Sequence, residues 1–257
     1  MAHQLSPVGS QERHPHQIYW AIVNWISANG ARPGDRLPHE AELADQFRVS
    51  RPTMREAIRV LEYSGLVEVR RGRTGGLFVG AGGVPQVVGA LRAFLLFDRS
   101  SLRDLFHSRE VLEVELARLA ATRATAADHA AMRTAIRQME SSAAAEAVVS
   151  ANTAFHLVIA DAAGNTILRA MMQAMTQLLN ELVRHAPDDH ATIALKLQGH
   201  LAIYDAIVAG DADAASEAMR DHIRAFQRVH CDGVDPGSLV VSGGRRLEAT
   251  GHQRAAS

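Results

Sequence analysis

In the stretch Val49-Ser50-Arg51-Pro52-Thr53-Met54-Arg55-Glu56-Ala57-Ile58-Arg59-Val60-Leu61, two kinds of side chain recur at helical spacing. At about 100° per residue, Arg51, Arg55 and Arg59 fall within about 80° of one another, while Met54, Ala57, Ile58 and Leu61 fill the adjoining stripe. One face packs and its neighbour is cationic. Ser50 stands as the N-cap, and Pro52 sits near the first helical positions, where a missing N–H costs nothing. The helix should stop near Ser64-Gly65.

Outward from it toward the N-terminus, a short helix is expected around 40–47. Before that lie the turn Arg32-Pro33-Gly34-Asp35 and a first helix carrying Ile18, Ile22, Trp25 and Ile26, which should end at Asn29-Gly30. Toward the C-terminus, 66–70 and 77–79 are short β-like segments joined by Arg71-Gly72-Arg73-Thr74-Gly75-Gly76, a small hairpin or wing. Along this order Arg48, Arg51, Arg55 and Arg59 come within twelve residues, and Arg70, Arg71 and Arg73 follow close behind. Guanidinium groups neutralise phosphates or bind guanine O6 and N7, and a helix has the width that the major groove of DNA admits. Ser50 and Thr53, with the free N–H groups of the helix N-terminus, suit a phosphate. A cationic stripe taken alone would serve equally to solvate a helix; the surrounding order decides.

That order is Pro33-Gly34-Asp35-Arg36-Leu37-Pro38-x-Glu40-x-Glu42-Leu43-Ala44, then Val49-Ser50-Arg51-x-Thr53-x-Arg55-Glu56-Ala57-Ile58-Arg59-x-Leu61. Gly65-Leu66-Val67 and Gly72-Arg73-x-Gly75-Gly76-x-Phe78-Val79 follow. It closely resembles the winged helix-turn-helix of the GntR family of bacterial transcription regulators. The resemblance implies DNA contacts from Arg51, Thr53, Arg55 and the wing around Gly75, and the full set of candidates is Arg36, Arg48, Ser50, Arg51, Thr53, Arg55, Arg59, Arg73 and Gly75. One position departs: Ala41 stands where that family often carries a DNA-contacting arginine, and Arg48, where it often has glycine, is a candidate to compensate.

Beyond the wing, Gly80-Ala81-Gly82-Gly83-Val84-Pro85 resists both helix and strand and is the expected linker. From about Val87 to Val229 the pattern is helical, Ala- and Leu-rich, with breaks near residues 125, 141–145, 164, 186 and 210 that make six or seven helices. The expected organisation is a winged helix-turn-helix over 11–80, a linker over 81–89, an α-helical domain over 90–230 and a flexible tail over 231–257. The fold class is therefore mainly α, with one small β-wing and a C-terminal all-α bundle.

In the C-terminal region, Arg109 and Glu113 project from the same side as Leu102, Leu105, Phe106, Leu112, Leu116 and Leu119. An unpaired charge there would cost several kcal/mol, so the two either pair with each other or Arg109 meets an anionic ligand. His200 borders a stripe of Ile193, Leu197, Leu201 and Tyr204; His222 borders Met219, Ile223 and Phe226; Asn152 and His156, one turn apart, lie beside Phe155 and Ile159. A single inward histidine is usually a hydrogen-bonded core residue, but three with the same placement suit a metal such as zinc, nickel, manganese or iron. His107, His129, His185, His190 and His230 do not fit this set, and the Met- and Leu-rich segment 171–182 reads as packing.

Here Arg109-x-x-Leu112-Glu113, Phe155-His156 with Gly164-Asn165 downstream, His200-x-x-Ile203-x-x-Ala206-Ile207 with Gly210-Asp211, and Met219-x-x-His222-Ile223 look like the FCD ligand-binding domain of the FadR subfamily. The resemblance implies a divalent metal, zinc, nickel or manganese, on Asn152, His156, His200 and His222. Asn152 stands where aspartate is commoner, which removes a negative charge and lowers the expected affinity. The resemblance also implies that Arg109 meets an effector's carboxylate; the effector-binding candidates are Arg109, Glu113, Asn165 and Tyr204.

Composition agrees with a regulator built this way. The chain has 257 residues, 47% hydrophobic and 21% charged, too apolar and balanced for a disordered protein. Its net charge of −1 hides a local excess, since 11–80 carry ten arginines against eight acids. The one cysteine, Cys231, excludes an internal disulfide and a Cys-rich zinc finger. No apolar run approaches the roughly 18 residues that span a bilayer, and the N-terminus, with Pro7 and Gly9, lacks an apolar leader, so a cytoplasmic protein without membrane association is expected. The expectation is a metabolite-responsive repressor, a homodimer on a palindromic double-stranded operator, sensing a small carboxylate. The alternative is a metal-dependent hydrolase or isomerase acting on a small acid, with Glu113 its one candidate base.

Overall fold

The computed structural model describes residues 15–72, 74–97, 101–142, 144–183 and 189–231. The expected arm 1–10, Arg73, His185 and the tail from residue 232 lie outside these. The chain divides into two compact units, with the division after Gln86.

The first unit contains α1 (Pro15–Ala28), α2 (Glu40–Phe47), α3 (Arg51–Tyr63), β1 (Val67–Arg70) and β2 (Gly76–Val79). Ile18 and Ile22 of α1, Leu43 and Phe47 of α2, and Met54, Ile58 and Leu61 of α3 close over Val67, Leu77 and Val79 in one core. Each periodic stripe in the sequence is thus buried against the other two helices and the wing. Ser50 caps α3 by accepting a hydrogen bond from the Thr53 N–H at 3.3 Å. The strands pair antiparallel, Val67 opposite Val79 and Arg70 opposite Gly76. At the wing turn a Cβ on Gly75 would stand 2.3 Å from the Arg70 carbonyl oxygen, so the hairpin closes only around a glycine.

The turn between α2 and α3 is made by Arg48 in the left-handed region, at φ 53°. Its N–H satisfies the last carbonyls of α2, those of Ala44 and Asp45, as a glycine C-cap would.

The second unit contains most of α4 (Val84–Phe97), then α5 (Leu102–Arg123), α6 (Ala126–Ser141), α7 (Ala145–Ala162), α8 (Thr166–Val183), α9 (His190–Ala209) and α10 (Ala212–Cys231). Residues 84–89, expected as linker, are helical instead. Pro85 lies in the first turn of α4, where its missing N–H costs nothing, so it starts a helix rather than preventing one. Cys231 likewise ends α10 instead of opening the tail. α5 packs mainly on α10, α10 also on α9, and α6 on α7. Its start is fixed by a reciprocal cap: Ser101 Oγ accepts from the Asp104 N–H at 3.2 Å, and Asp104 accepts from the Ser101 N–H at 2.7 Å. The architecture is the predicted one, helical throughout except for the two-stranded wing. Among the described residues no helix is long and apolar enough to cross a membrane.

Candidate functional site

Two places in the molecule concentrate chemistry. The first is the outer face of α3. Met54, Ala57, Ile58 and Leu61 are buried, which turns Arg51, Arg55 and Arg59 outward, all exposed. Arg55 pairs with Glu40 of α2 at 3.4 Å and Arg59 with Glu56 at 3.6 Å. Pairs this exposed contribute at most about 1 kcal/mol, so either arginine can leave its partner for a phosphate. Arg48 and Ser50 are exposed at the head of the same helix, with Thr53 half-buried beside them. Ser50 and Thr53 hydroxyls lie 2.7 Å apart.

Arg36 behaves differently from the other candidates. Its Nη2 donates to the Gly75 carbonyl at 3.0 Å, and its guanidinium lies 6.0 Å from the centre of the Phe78 ring, which also carries Arg70 at 4.2 Å. Arg36 holds the tip of the wing. Gly75 accepts that bond through its carbonyl, so the structure gives it a shaping role.

The second place is the interior of the helical unit, where α5, α7, α9 and α10 converge. His156 of α7, His200 of α9 and His222 of α10 are all buried, and one nitrogen from each lies within 4.8 Å of the others. Phe155 stacks on His200, centroids 4.1 Å apart, and fixes that ring. His222 comes so near α9 that a Cβ on Gly199 would stand 2.4 Å from its Nδ1.

Glu113 of α5 is 2% exposed and has both oxygens engaged, Oε1 by Arg109 Nε and Oε2 by His156 Nδ1. Burial by itself would raise its pKa; the Arg109 charge and the His156 ring outweigh that and hold the carboxyl well below the usual carboxylate range. His156 Nδ1 faces this carboxylate, and its Nε2 lies 3.3 Å from Arg109 Nη2. Of the two readings of Arg109 and Glu113, the structure shows the internal pair.

Burial lowers the pKa of His200 and His222 well below the histidine norm, and the neighbouring imidazoles and Arg109 add to this. Both rings are neutral, with lone pairs available. His200 carries the sharpest signal: its Nδ1 and Nε2 are buried without a hydrogen-bond partner among the described residues. An unmet buried polar atom costs about 1–3 kcal/mol, a cost that a ligand at that position would remove. The residues therefore fit a metal ion of the kind that imidazole binds.

Of the other candidates, Asn152 lies one turn before His156 on the same face of α7 and is half-buried. Tyr204, one turn after His200, lies half-buried with Arg133 of α6 5.4 Å from its ring centre. Asn165 is not in the site: it is exposed, and its Oδ1 caps α8 by accepting from the Ile167 and Leu168 N–H groups at 3.2 and 3.1 Å. Glu113, also an effector candidate, has one oxygen against Arg109 and the other against His156. The sequence reading missed Lys196, which is 6% exposed with its Nζ 4.4 Å from the centre of the Phe226 ring. Its spacing of four from His200 was the available signal.

The family model described as bacterial regulatory proteins, gntR family, matches residues 15–79, and that described as FCD domain matches 104–225. The HTH-type transcriptional regulator LutR of Bacillus subtilis is 33% identical, with 77% of this chain and 92% of LutR covered. The galactonate operon transcriptional repressor of Escherichia coli is 31% identical, with 76% and 87% covered. A Streptococcus agalactiae GntR structure superposes with a TM-score of 0.62 at 25% identity, covering 83% of this chain and 99% of that one.

Proposed function

The chain belongs to the GntR family of bacterial regulatory proteins and carries an FCD domain, and from that premise we propose that it is a metabolite-responsive repressor whose DNA affinity is set by a small carboxylate bound at the three-histidine cluster. It is a DNA-binding transcription regulator and not an enzyme. The hydrolase or isomerase alternative falls with that, and its one candidate base, Glu113, is spent on Arg109 and His156.

In the proposed action, two chains form a homodimer that sets two copies of α3 on the half-sites of a palindromic operator. Arg51, Arg55 and Arg59 supply phosphate and base contacts, Arg48, Ser50 and Thr53 hold the backbone at the head of the helix, and the wing flanks them. In the FCD domain His156, His200 and His222, with Asn152 as the fourth candidate, would hold a divalent metal. Once bound, that ion supplies a Lewis-acid position for an oxygen of the effector. Glu113 keeps the His156 ring oriented, and Arg109 neutralises Glu113. A repressor of a galactonate operon among the relatives supports an acid as the class of effector. Effector binding acts by favouring one conformer of the dimer over the other.

The observation that carries the sensing site is His200, buried beside two other histidines with neither ring nitrogen hydrogen-bonded among the described residues. Metal content per chain tests it, on full-length protein purified without a His-tag or chelator, beside the His156→Ala/His200→Ala variant. Stoichiometric zinc, nickel or manganese is expected, lost in the variant; a protein that stays metal-free after loading with each ion would overturn the metal site.

A further inference from the structure

His156, His200 and His222 are buried with ring centroids 4.7–5.3 Å apart, and among the described residues no carboxylate or thiol joins them. An imidazole holds a metal as a neutral ligand. Glu113 touches the cluster through His156 Nδ1, but its charge is matched by the Arg109 guanidinium against its other oxygen. At position 152, one turn before His156 on the same face of α7 and half-buried, the side chain is an amide. A divalent ion on these residues therefore brings two positive charges to a cluster that, among the described residues, contains no unmatched negative one.

A buried charge is costly until it is paired, and here the partner has to come from outside the chain. A carboxylate is such a partner, because zinc, nickel and manganese accept its oxygen beside imidazole nitrogen. Ion and acid each prepare the place of the other: the ion alone lacks a counter-charge, and the acid alone meets neutral rings. The coupling is reciprocal, so the factor by which the acid tightens the metal is the factor by which the metal tightens the acid.

We infer that the metal and the acid bind as a linked pair, the acid supplying the negative charge that Asn152 does not. This rests on the metal- and acid-sensing reading above and adds its regulation. The repressor answers to the acid only where the metal is available, and the metal is held firmly only where the acid is present. Residue 152 sets the strength of the link, since a carboxylate there would give the ion a permanent counter-charge and leave the acid less to add.

The test uses full-length protein as wild type, Asn152→Asp and Asn152→Ala. Zinc affinity is read by competition with a chromogenic chelator, alone and with L-lactate, D-galactonate or L-malate, against protein-free titrations that measure the zinc each acid takes up by itself. For at least one acid the zinc affinity of wild type is expected to rise about tenfold or more. Without acid, Asn152→Asp should hold zinc about tenfold or more tighter than wild type, and its rise on adding that acid should be several-fold smaller. Asn152→Ala, neutral like wild type, should hold zinc no better without acid and keep the rise. Zinc affinity that none of the acids changes would mean that water meets the ion's need, and overturns the link while leaving the metal site intact. A rise as large in Asn152→Asp as in wild type, or zinc held alike by the two without acid, overturns the role given to charge at residue 152. Asn152→Ala behaving as Asn152→Asp would assign the effect to packing and overturn it too. If wild type takes up no zinc with or without acid, the metal reading fails and the inference falls with it.

Discussion

Gly199 and His222 are in contact in a way that admits no side chain on the glycine: a Cβ there would stand 2.4 Å from the histidine Nδ1 and 3.0 Å from Cγ. Helices disfavour glycine by about 1 kcal/mol relative to alanine, so α9 carries its weakest helix former where the His222 ring approaches closely. Gly199→Ala is expected to push the His222 ring from its place and lower zinc affinity by about 10-fold or more, a loss of the size that follows when a ligand's supporting contact is removed. In a His222→Ala background the ring contacts are gone and only the 3.2 Å approach to the remaining Cβ persists, so the loss caused by Gly199→Ala should shrink. Equal zinc affinity of Gly199→Ala and wild type would show that the ring has room elsewhere.

Arg48 invites the same test in the other unit. A non-glycine residue in the left-handed region costs about 1–2 kcal/mol, and Arg48 is the one such residue among those described. Arg48→Gly is expected to stabilise the protein by up to about 1 kcal/mol in urea denaturation while weakening DNA binding and lowering the salt slope by about one phosphate contact. A gain in stability with unchanged DNA affinity would mean that the strain serves no contact.

The order of elements was legible because each rests on a local rule: the stripe on α3, the Ser50 cap, the glycines of the wing. What local rules left open were residues whose role depends on a neighbour distant in sequence. Arg36 has the chemistry of a DNA contact but reaches the Gly75 carbonyl, 39 residues away. Asn165 follows a glycine in a motif that suggested a site, yet an asparagine before a helix also caps it, and the exposed cap is what forms. Arg109 and Glu113, four apart on α5, could pair or bind a ligand by spacing alone; His156 of α7 decides by taking the second oxygen of Glu113. Lysine is rarely turned inward, and at Lys196 α10 overrides that rule by placing Phe226 beside it.

Asp104 links the fold of the helical unit to pH. Its carboxylate accepts from the Ser101 N–H and hydroxyl at the start of α5, and these bonds lower its pKa. A carboxyl with a depressed folded pKa contributes stability above its unfolded value near 3.9, and that contribution is lost as pH falls through the folded value. Asp104→Ala is therefore expected to cost about 0.3–1 kcal/mol at neutral pH, as an acid in a first turn does. The gap between the two proteins should close in denaturant titrations as pH falls below the unfolded value and through the lower folded one. A gap of constant size across that range would assign the cost to something other than the charge.

The two classes of arginine in the DNA-binding unit should separate when DNA affinity and specificity are measured together. Arg51 and Arg55 are exposed on the α3 face, and Arg55 is held only by a 3.4 Å pair with Glu40. A bidentate base contact carries about 1–3 kcal/mol of discrimination, so Arg51→Ala/Arg55→Ala is expected to reduce binding to the operator to the level of scrambled duplex. Arg36 acts through the wing, where its bond to Gly75 and its place beside Phe78 fix the hairpin tip. Arg36→Ala should weaken operator and scrambled DNA by similar factors and leave their ratio near wild type, because a loosened wing loses backbone contacts that carry no sequence information. Both are read by fluorescence anisotropy at several salt concentrations, on an operator selected by the wild-type protein from a random duplex pool. Loss of specificity in Arg36→Ala equal to that of the double variant would return Arg36 to the base-reading set, and retained specificity in the double variant would remove α3 from it.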